Sequence, residues 1–212
     1  MKKKNRDECL SNLIRDYEEM HIAETCEEMI RLVVPQLRQL RNDMTDLCDR
    51  QVMQYITSRV KTPESILNKL IRKRRSQTME KAVETFHDLA GIRVVCTFQD
   101  DVYRTVREIR KLPVLRVVKV KDYIAHPKPT GYRSIHIIAE VPDCAGDILL
   151  EIQVCSAAMN YWAMLDHQLS YKNSRVDPEK VEKIEQELKS YAYDIANIDK
   201  KFLKIRKAIE KL

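Results

Sequence analysis

The spacing of apolar positions changes several times along this chain, and each change predicts an element. From about Asp7 to Val34 the residues Leu10, Leu13, Ile14, Tyr17, Met29, Ile30 and Val33 recur at helical intervals. This predicts an amphipathic helix, whole or broken in two. Pro35 either kinks it or opens a further helix reaching about Cys48. Val52 to Val60 reads as a strand ending in Arg59-Val60-Lys61, after which Thr62-Pro63-Glu64-Ser65 carries a capping hydroxyl, a first-turn proline and an acid, the signature of a helix start. That helix runs to about Arg75, and a polar connection follows. Leu89 to Phe98, LAGIRVVCTF, is a nearly continuous apolar run suited to a buried central strand. Asp100 to Leu112 reads as a helix, and Leu115 to Ile124 as a strand with alternating lysines.

Pro129 and Gly131 mark a turn, and two strand-like runs follow it, Tyr132 to Val141 and Ile148 to Val154. Period-two alternation puts Tyr132, Ser134 and His136 on one face of the first. It puts Leu149, Glu151 and Gln153 opposite Ile148, Leu150, Ile152 and Val154 in the second. Paired as neighbours, the two runs bring their polar faces into one concave floor. Ala157 to Tyr171 resumes helical spacing. From Pro178 the residues Val181, Ile184, Leu188, Tyr191, Ile195, Ile198, Phe202, Ile205, Ile209 and Leu212 alternate steps of three and four, a heptad helix about 50 Å long. Such a helix requires a helical partner, either the N-terminal helix of the same chain or a second subunit. The expected fold is α+β, a mixed sheet of about five strands flanked by helices. We divide it as a helical extension over 1–50, a sheet-bearing domain over 51–172 and a long packing helix over 173–212.

Composition narrows the chemistry. The 212 residues are 44% hydrophobic and 33% charged, with a net charge of +6 that favours an anionic partner such as a nucleotide or nucleic acid. The Lys2 to Lys4 run reads as a solvated tail. Six scattered cysteines fit a reduced, cytoplasmic protein, and no apolar run is long enough to span a bilayer. With three glycines in the whole chain, a phosphate-cradling glycine loop is excluded. Bound phosphates must therefore meet lysine and arginine side chains and a metal ion.

Asp88 and Glu151 fall at strand positions where carboxylates are unusual. One such acid by itself reads as simply exposed. Two of them, with Lys61, Lys69, Arg72, Lys128 and His136 within reach of a folded sheet, point to metal-assisted chemistry on phosphates. The basic helix beyond Pro63 is either a solvated face or a phosphate clamp. Arg93, inside an apolar run, must reach a partner or a pocket.

Five ordered segments, RVKTPES (Arg59 to Ser65), HDLAGIRVVCTF (His87 to Phe98), KPTGYRSIH (Lys128 to His136), LEIQV (Leu150 to Val154) and AMNYWAMLDHQLSYK (Ala158 to Lys172), resemble the synthetase domain of the RelA/SpoT alarmone enzymes. The chain length resembles that of the small alarmone synthetases. The resemblance implies a nucleotidyltransferase-like fold and transfer of the β,γ-pyrophosphate of ATP to the 3′-hydroxyl of GDP or GTP, yielding AMP and (p)ppGpp in the stringent response. It implies Mg²⁺ as cofactor, with Asp88 and Glu151 as its ligands and Glu151 also activating the 3′-hydroxyl. Arg59, Lys61, Ser65, Lys69, Arg72 and Arg93 match the ATP side, Arg59 and Arg93 sandwiching adenine. Lys128, Tyr132, Arg133, Ser134, His136, Gln153 and Asn160 match the GDP/GTP side, Tyr132 stacking on guanine and Asn160 reading the base edge. A homotetramer is also implied.

Two positions depart from the pattern. Cys155 stands where the family usually has arginine, and Thr130 where asparagine is frequent. The His87-Asp88 dipeptide superficially resembles a metal hydrolase, but the remaining ligands of such a site cannot be placed. Two other readings stay in view: a single-stranded RNA-binding module using Tyr132 as a platform, and a nucleotide sensor without turnover, for which Cys155 is the argument.

Overall fold

The computed structural model describes residues 3–144, 146–170 and 178–211. Expectations for Lys2, Tyr171, Lys172 and Leu212 lie outside the described residues.

Two N-terminal helices, α1 (Lys3–Glu19) and α2 (Ile22–Cys48), are separated at Met20 and His21, where His21 takes a left-handed conformation with φ 50°. The break therefore precedes Pro35, which lies inside α2. β1 (Met53–Val60) follows, then α3 (Pro63–Arg72), capped by Thr62, whose hydroxyl accepts the Ser65 N–H at 3.3 Å. The polar connection holds a short helix that the apolar spacing did not predict, α4 (Met79–Thr85), capped by Thr78. After it come β2 (Ala90–Cys96), α5 (Gln99–Ile109), β3 (Arg116–Asp122), β4 (Ile135–Glu140), β5 (Leu150–Ser156), α6 (Ala157–Ser170) and α7 (Pro178–Ile209).

The five strands form one mixed sheet in the order β1-β2-β5-β4-β3. β2 and β5 run parallel in its centre, and the other three pairs are antiparallel. The two polar runs expected to pair are indeed neighbours, although Tyr132 to Ser134 precede the regular strand. Ile92, Val94, Ile137, Ile152 and Val154 are buried beneath α2 and α5. Leu13, Ile22, Cys26, Met29, Val33 and Leu37 of α1 and α2 join the same apolar core. With one face sealed this way, alternation leaves the other to carry polar chemistry.

The long helix spans 32 residues, and its intramolecular partners are α5 and α6 rather than the length of the N-terminal helices. Leu188, Ala192, Ala196 and Asp199 are buried, and the Trp162 indole N–H of α6 donates to the Leu188 carbonyl at 3.0 Å. At its far end Arg206 pairs with Asp100 at the start of α5. Ile184, Tyr191, Ile198 and Ile205, spaced by sevens, remain exposed, as do Phe202 and Ile209. Of the heptad residues, Leu188 is buried in the chain's own packing and Val181 and Ile195 are half-buried, while most of the pattern is left on the surface.

Candidate active site

Strand register assembles the polar face in two rows. Arg93 pairs with Thr57 on one side and Gln153 on the other, while Gln153 faces His136 and His136 faces Lys121. One step along, Gly91 lies between Arg59 and Glu151. Residues far apart in sequence therefore converge because every strand alternates in phase. A cavity of about 210 Å³ opens on this face, lined by Thr57, Ser58, Arg59, Asp88, Gly91, Ile92, Arg93, Glu151 and Gln153.

Asp88 precedes β2 and meets two ammonium groups. Lys61 Nζ lies 2.6 Å from Oδ2 and Lys69 Nζ 2.5 Å from Oδ1. Burial pushes the Asp88 carboxyl up, but the two lysines outweigh it and hold its pKa at about 2. Lys69, whose Nζ also sits 4.4 Å from the Phe86 ring centroid, is pulled down by burial, with Asp88 opposing. The carboxylate is ionised at every ordinary pH.

Glu151 is ionised by different means. Its Oε1 lies 2.9 Å from His136 Nδ1 and its Oε2 accepts from Gln153 Nε2 at 2.6 Å. Burial raises its pKa, and the contacts with His136 and Gln153 reverse that and leave it lowered. Tyr132 continues the chain, its hydroxyl 2.9 Å from His136 Nε2. An Nδ1–H imidazole satisfies both neighbours, donating to Glu151 and accepting from Tyr132. Burial lifts the Tyr132 phenol to about 12, so it stays a donor.

Arg93 finds the partners its position demanded: Nη2 donates to Gln153 Oε1 at 2.8 Å and Nη1 to Asn160 Oδ1 at 3.3 Å. Asn160 in turn donates to the Tyr55 hydroxyl at 2.7 Å. Arg59 is exposed on the cavity rim. Lys128 holds its Nζ 4.7 Å from the Tyr123 ring centroid and 4.6 Å from that of Tyr132, and burial lowers its pKa.

Asp88, Glu151, Arg59, Arg93 and Gln153 share the cavity, with Lys61, Lys69, His136 and Asn160 one contact away. Other expected residues stand differently. Ser65 is spent on the α3 cap, its hydroxyl accepting from Thr62, and Arg72 is exposed near the end of that helix. Ser134 is buried, donating to the Val154 carbonyl at 3.0 Å. Arg133 turns to α7, where its guanidinium meets the Ala192 carbonyl and the Tyr193 ring. Cys155 is 4% exposed, so this departure lies in the interior and not on the cavity wall.

Tyr123 and Tyr55 were not foreseen. Tyr123 extends the β3–β4 ladder by donating its N–H to the Ser134 carbonyl at 2.9 Å, and its ring stands edge-on to His136 at 5.1 Å between centroids. The alternation of lysines in β3, carried two residues further, would have placed it there.

Both the sequence and the fold of the chain have known relatives. Residues 58–176 match the model of a region found in RelA/SpoT proteins. The chain is 40% identical over 162 residues to the GTP pyrophosphokinase YwaC of Bacillus subtilis, covering 74% of this chain and 76% of that one. It superposes with a TM-score of 0.79 and 28% identity on the small alarmone synthetase 1 of Bacillus subtilis bound to its product pppGpp, covering 92% of this chain and all (100%) of that one. The AMPCPP-bound structure of the same synthetase gives a TM-score of 0.72 at 26% identity, covering 93% and 100% of the two chains.

Proposed function

The chain belongs to the RelA/SpoT family, and from that membership we propose that it is a GTP pyrophosphokinase, moving the β,γ-pyrophosphate of ATP to the 3′-hydroxyl of GDP or GTP with release of AMP. One observation carries the reading in this chain's own residues. Asp88 and Glu151 line one cavity, both ionised, yet each is held by a different set of partners. Two carboxylates so separated in environment can take two roles.

The donor nucleotide is assigned to the Arg59, Lys61, Lys69, Arg72 and Arg93 side. Planar guanidinium groups at Arg59 and Arg93 suit stacking on adenine, and the ammonium groups of Lys61 and Lys69 suit the phosphates. The acceptor is assigned to the Lys128, Tyr132, His136, Gln153 and Asn160 side. Glu151 Oε is the proton acceptor for the 3′-hydroxyl. His136 fixes its orientation through Nδ1, and Tyr132 fixes the imidazole through Nε2. Pyrophosphoryl transfer needs an aligned hydroxyl and neutralised phosphate oxygens, with little covalent help from the protein. That is what cations on one side and an oriented carboxylate on the other provide.

Enzymes of this type generally use a divalent metal, and Mg²⁺ fits the donor set. Among the described residues no group of three or more His, Cys, Asp and Glu could hold a metal unaided. Mg²⁺ suits such a site, because it commonly binds one or two carboxylates together with substrate phosphates and water. Asp88 and Glu151 would hold it, and when bound it neutralises charge on the transferred group.

The stripe of Ile184, Tyr191, Ile198 and Ile205 on α7, continuous in sequence with Phe202 and Ile209, supports a homo-oligomer, with a tetramer as the proposed state. Among the described residues no helix is long and apolar enough to cross a membrane.

The test is direct. Purified protein given ATP, GDP or GTP, and Mg²⁺ should form AMP and a 3′-pyrophosphorylated guanosine nucleotide. Folded protein that forms neither with either acceptor refutes the reading.

A further inference from the structure

The turn that precedes β4 is seated on α7 at unusually close range. Gly131 has φ +92°, and a Cβ built on it would lie 2.5 Å from the Cβ of Ala192. Only two small residues allow that approach, and the positive φ adds a second reason for glycine. Beside this contact Arg133 bridges the two elements. Its Nη1 donates to the Gly131 carbonyl at 3.1 Å and to the Ala192 carbonyl at 3.4 Å, and its guanidinium carbon lies 4.9 Å from the centroid of Tyr193. The turn itself closes through Gly131 N–H to the Lys128 carbonyl at 2.8 Å and Lys128 N–H to the Tyr132 carbonyl at 3.1 Å.

Two consequences follow from this arrangement. The turn carries Lys128 at one end and Tyr132 at the other, and Tyr132 leads through His136 to Glu151. A shift of the turn against α7 would therefore displace the acceptor side and leave Lys61, Lys69 and Asp88 in place. Moreover, the cation at 133 is directed away from the cavity, into contacts with a helix that lines none of it.

We propose that Arg133 is a positioning residue: it fixes the Lys128–Tyr132 turn to α7, and Tyr193, outside the cavity, sets acceptor affinity through it. The inference rests on the functional reading above for its kinetic arm but not for its structural arm. Through α7, whose outer stripe is open to a second copy of the chain, this contact also links the acceptor side to the helix on which assembly is proposed.

The variants Arg133→Ala, Tyr193→Ala, Tyr193→Phe and the double alanine variant separate this role from direct nucleotide contact. Loss of two charge-assisted hydrogen bonds should raise the acceptor KM about tenfold in Arg133→Ala, with the ATP KM within about twofold of the parent. Loss of the ring should raise the acceptor KM about threefold in Tyr193→Ala, and Tyr193→Phe should restore it. The double variant should be no worse than Arg133→Ala, because both act through one contact. Hydrogen exchange at residues 128–132 should quicken in both alanine variants.

A normal acceptor KM in Tyr193→Ala alongside a raised one in Arg133→Ala would mean that Arg133 touches the nucleotide, and would overturn the proposal. So would unchanged exchange at 128–132 in Arg133→Ala. If the parent protein turns over neither acceptor, the functional reading fails by itself, and the exchange measurement still decides whether Arg133 holds the turn.

Discussion

Lys61 grips Asp88 with its side chain and the following residue with its backbone: Nζ lies 2.6 Å from Asp88 Oδ2, and the main-chain N–H donates to the Leu89 carbonyl at 2.8 Å. The end of β1 is thereby joined to the approach to β2, and the candidate metal ligand sits in the joint. Asp88 is pulled from 3.8 to about 2, against its burial and by its lysines. A carboxyl depressed on folding contributes stability that is fully present above its unfolded value and is lost as pH falls through the folded one. The wild type should therefore lose about 2 kcal/mol from this group as pH drops from about 4 to about 2. Asp88→Asn should lack that acid limb, be less stable at pH 7 and make no product. Denaturant melts across pH 2 to 7 test this; identical acid limbs in the two proteins would contradict it.

Glu151→Gln preserves the shape of the residue and an oxygen for Gln153, but removes the proposed proton acceptor. Turnover should fall by about 10² to 10⁴, the range typical of a lost general base. ATP affinity, measured by calorimetry, should stay within about twofold, since the cations proposed to hold the donor are untouched. A variant with full kcat would remove Glu151 from the proton transfer.

The imidazole of His136 governs how basic that carboxylate is. Burial pushes Glu151 up, and His136 and Gln153 pull it down. In His136→Ala, burial faces less opposition, so the Glu151 pKa must rise and the acid limb of the kcat/KM profile must move to higher pH. An acid limb that moves down or stays fixed would show that another group titrates there.

The exposed heptad stripe predicts assembly. Ile198 and Ile205, 49% and 55% exposed, lie two turns apart on the outer face of α7, and replacing both with glutamate should lower the mass seen by light scattering. The effect on the fold of one chain should be within about 0.5 kcal/mol, as expected for surface sites. A mass unchanged from the parent would place the interface elsewhere.

What could be read in the sequence follows from how local each signal is. The strand assignments, Arg93 as a paired cation and the Thr62 cap rest on patterns within ten residues, and the structure bears them out. Residues 79–85 escaped because a seven-residue helix offers too few turns for a period to show. The direction of Arg133 could not be read either, because alternation fails in the irregular stretch before Ile135 and its partner lies in a helix some 59 residues on. For the same reason the heptad run predicted a partner without saying which face it would take. Ala192, Ala196 and Asp199, which are small or polar, turned out to define the inner face that the apolar pattern did not mark.

Asp199 gives the last prediction. It is 4% exposed on α7 and accepts a hydrogen bond from Ser156 Oγ at 2.6 Å, and that same oxygen accepts the Met159 N–H at 3.2 Å where α6 begins. Burial raises the Asp199 pKa, Ser156 opposes, and the charge of Asp100 raises it further. An acid raised on folding favours the native state below its unfolded value, and this contribution disappears as pH climbs through the folded one. At pH 7 to 8 the ionised side chain is therefore a cost, and Asp199→Asn, which keeps an acceptor for Ser156, should stabilise the protein there, with no gain below pH 4. Asp199→Ala removes the acceptor and should destabilise by about 1 to 2 kcal/mol at any pH, because the Ser156 hydroxyl that caps α6 is left unheld. Melts of both variants at pH 4 and pH 8 decide the matter. Equal destabilisation by asparagine and alanine at pH 8 would mean that the charge itself, and not the hydrogen bond, secures the junction of β5 and α6.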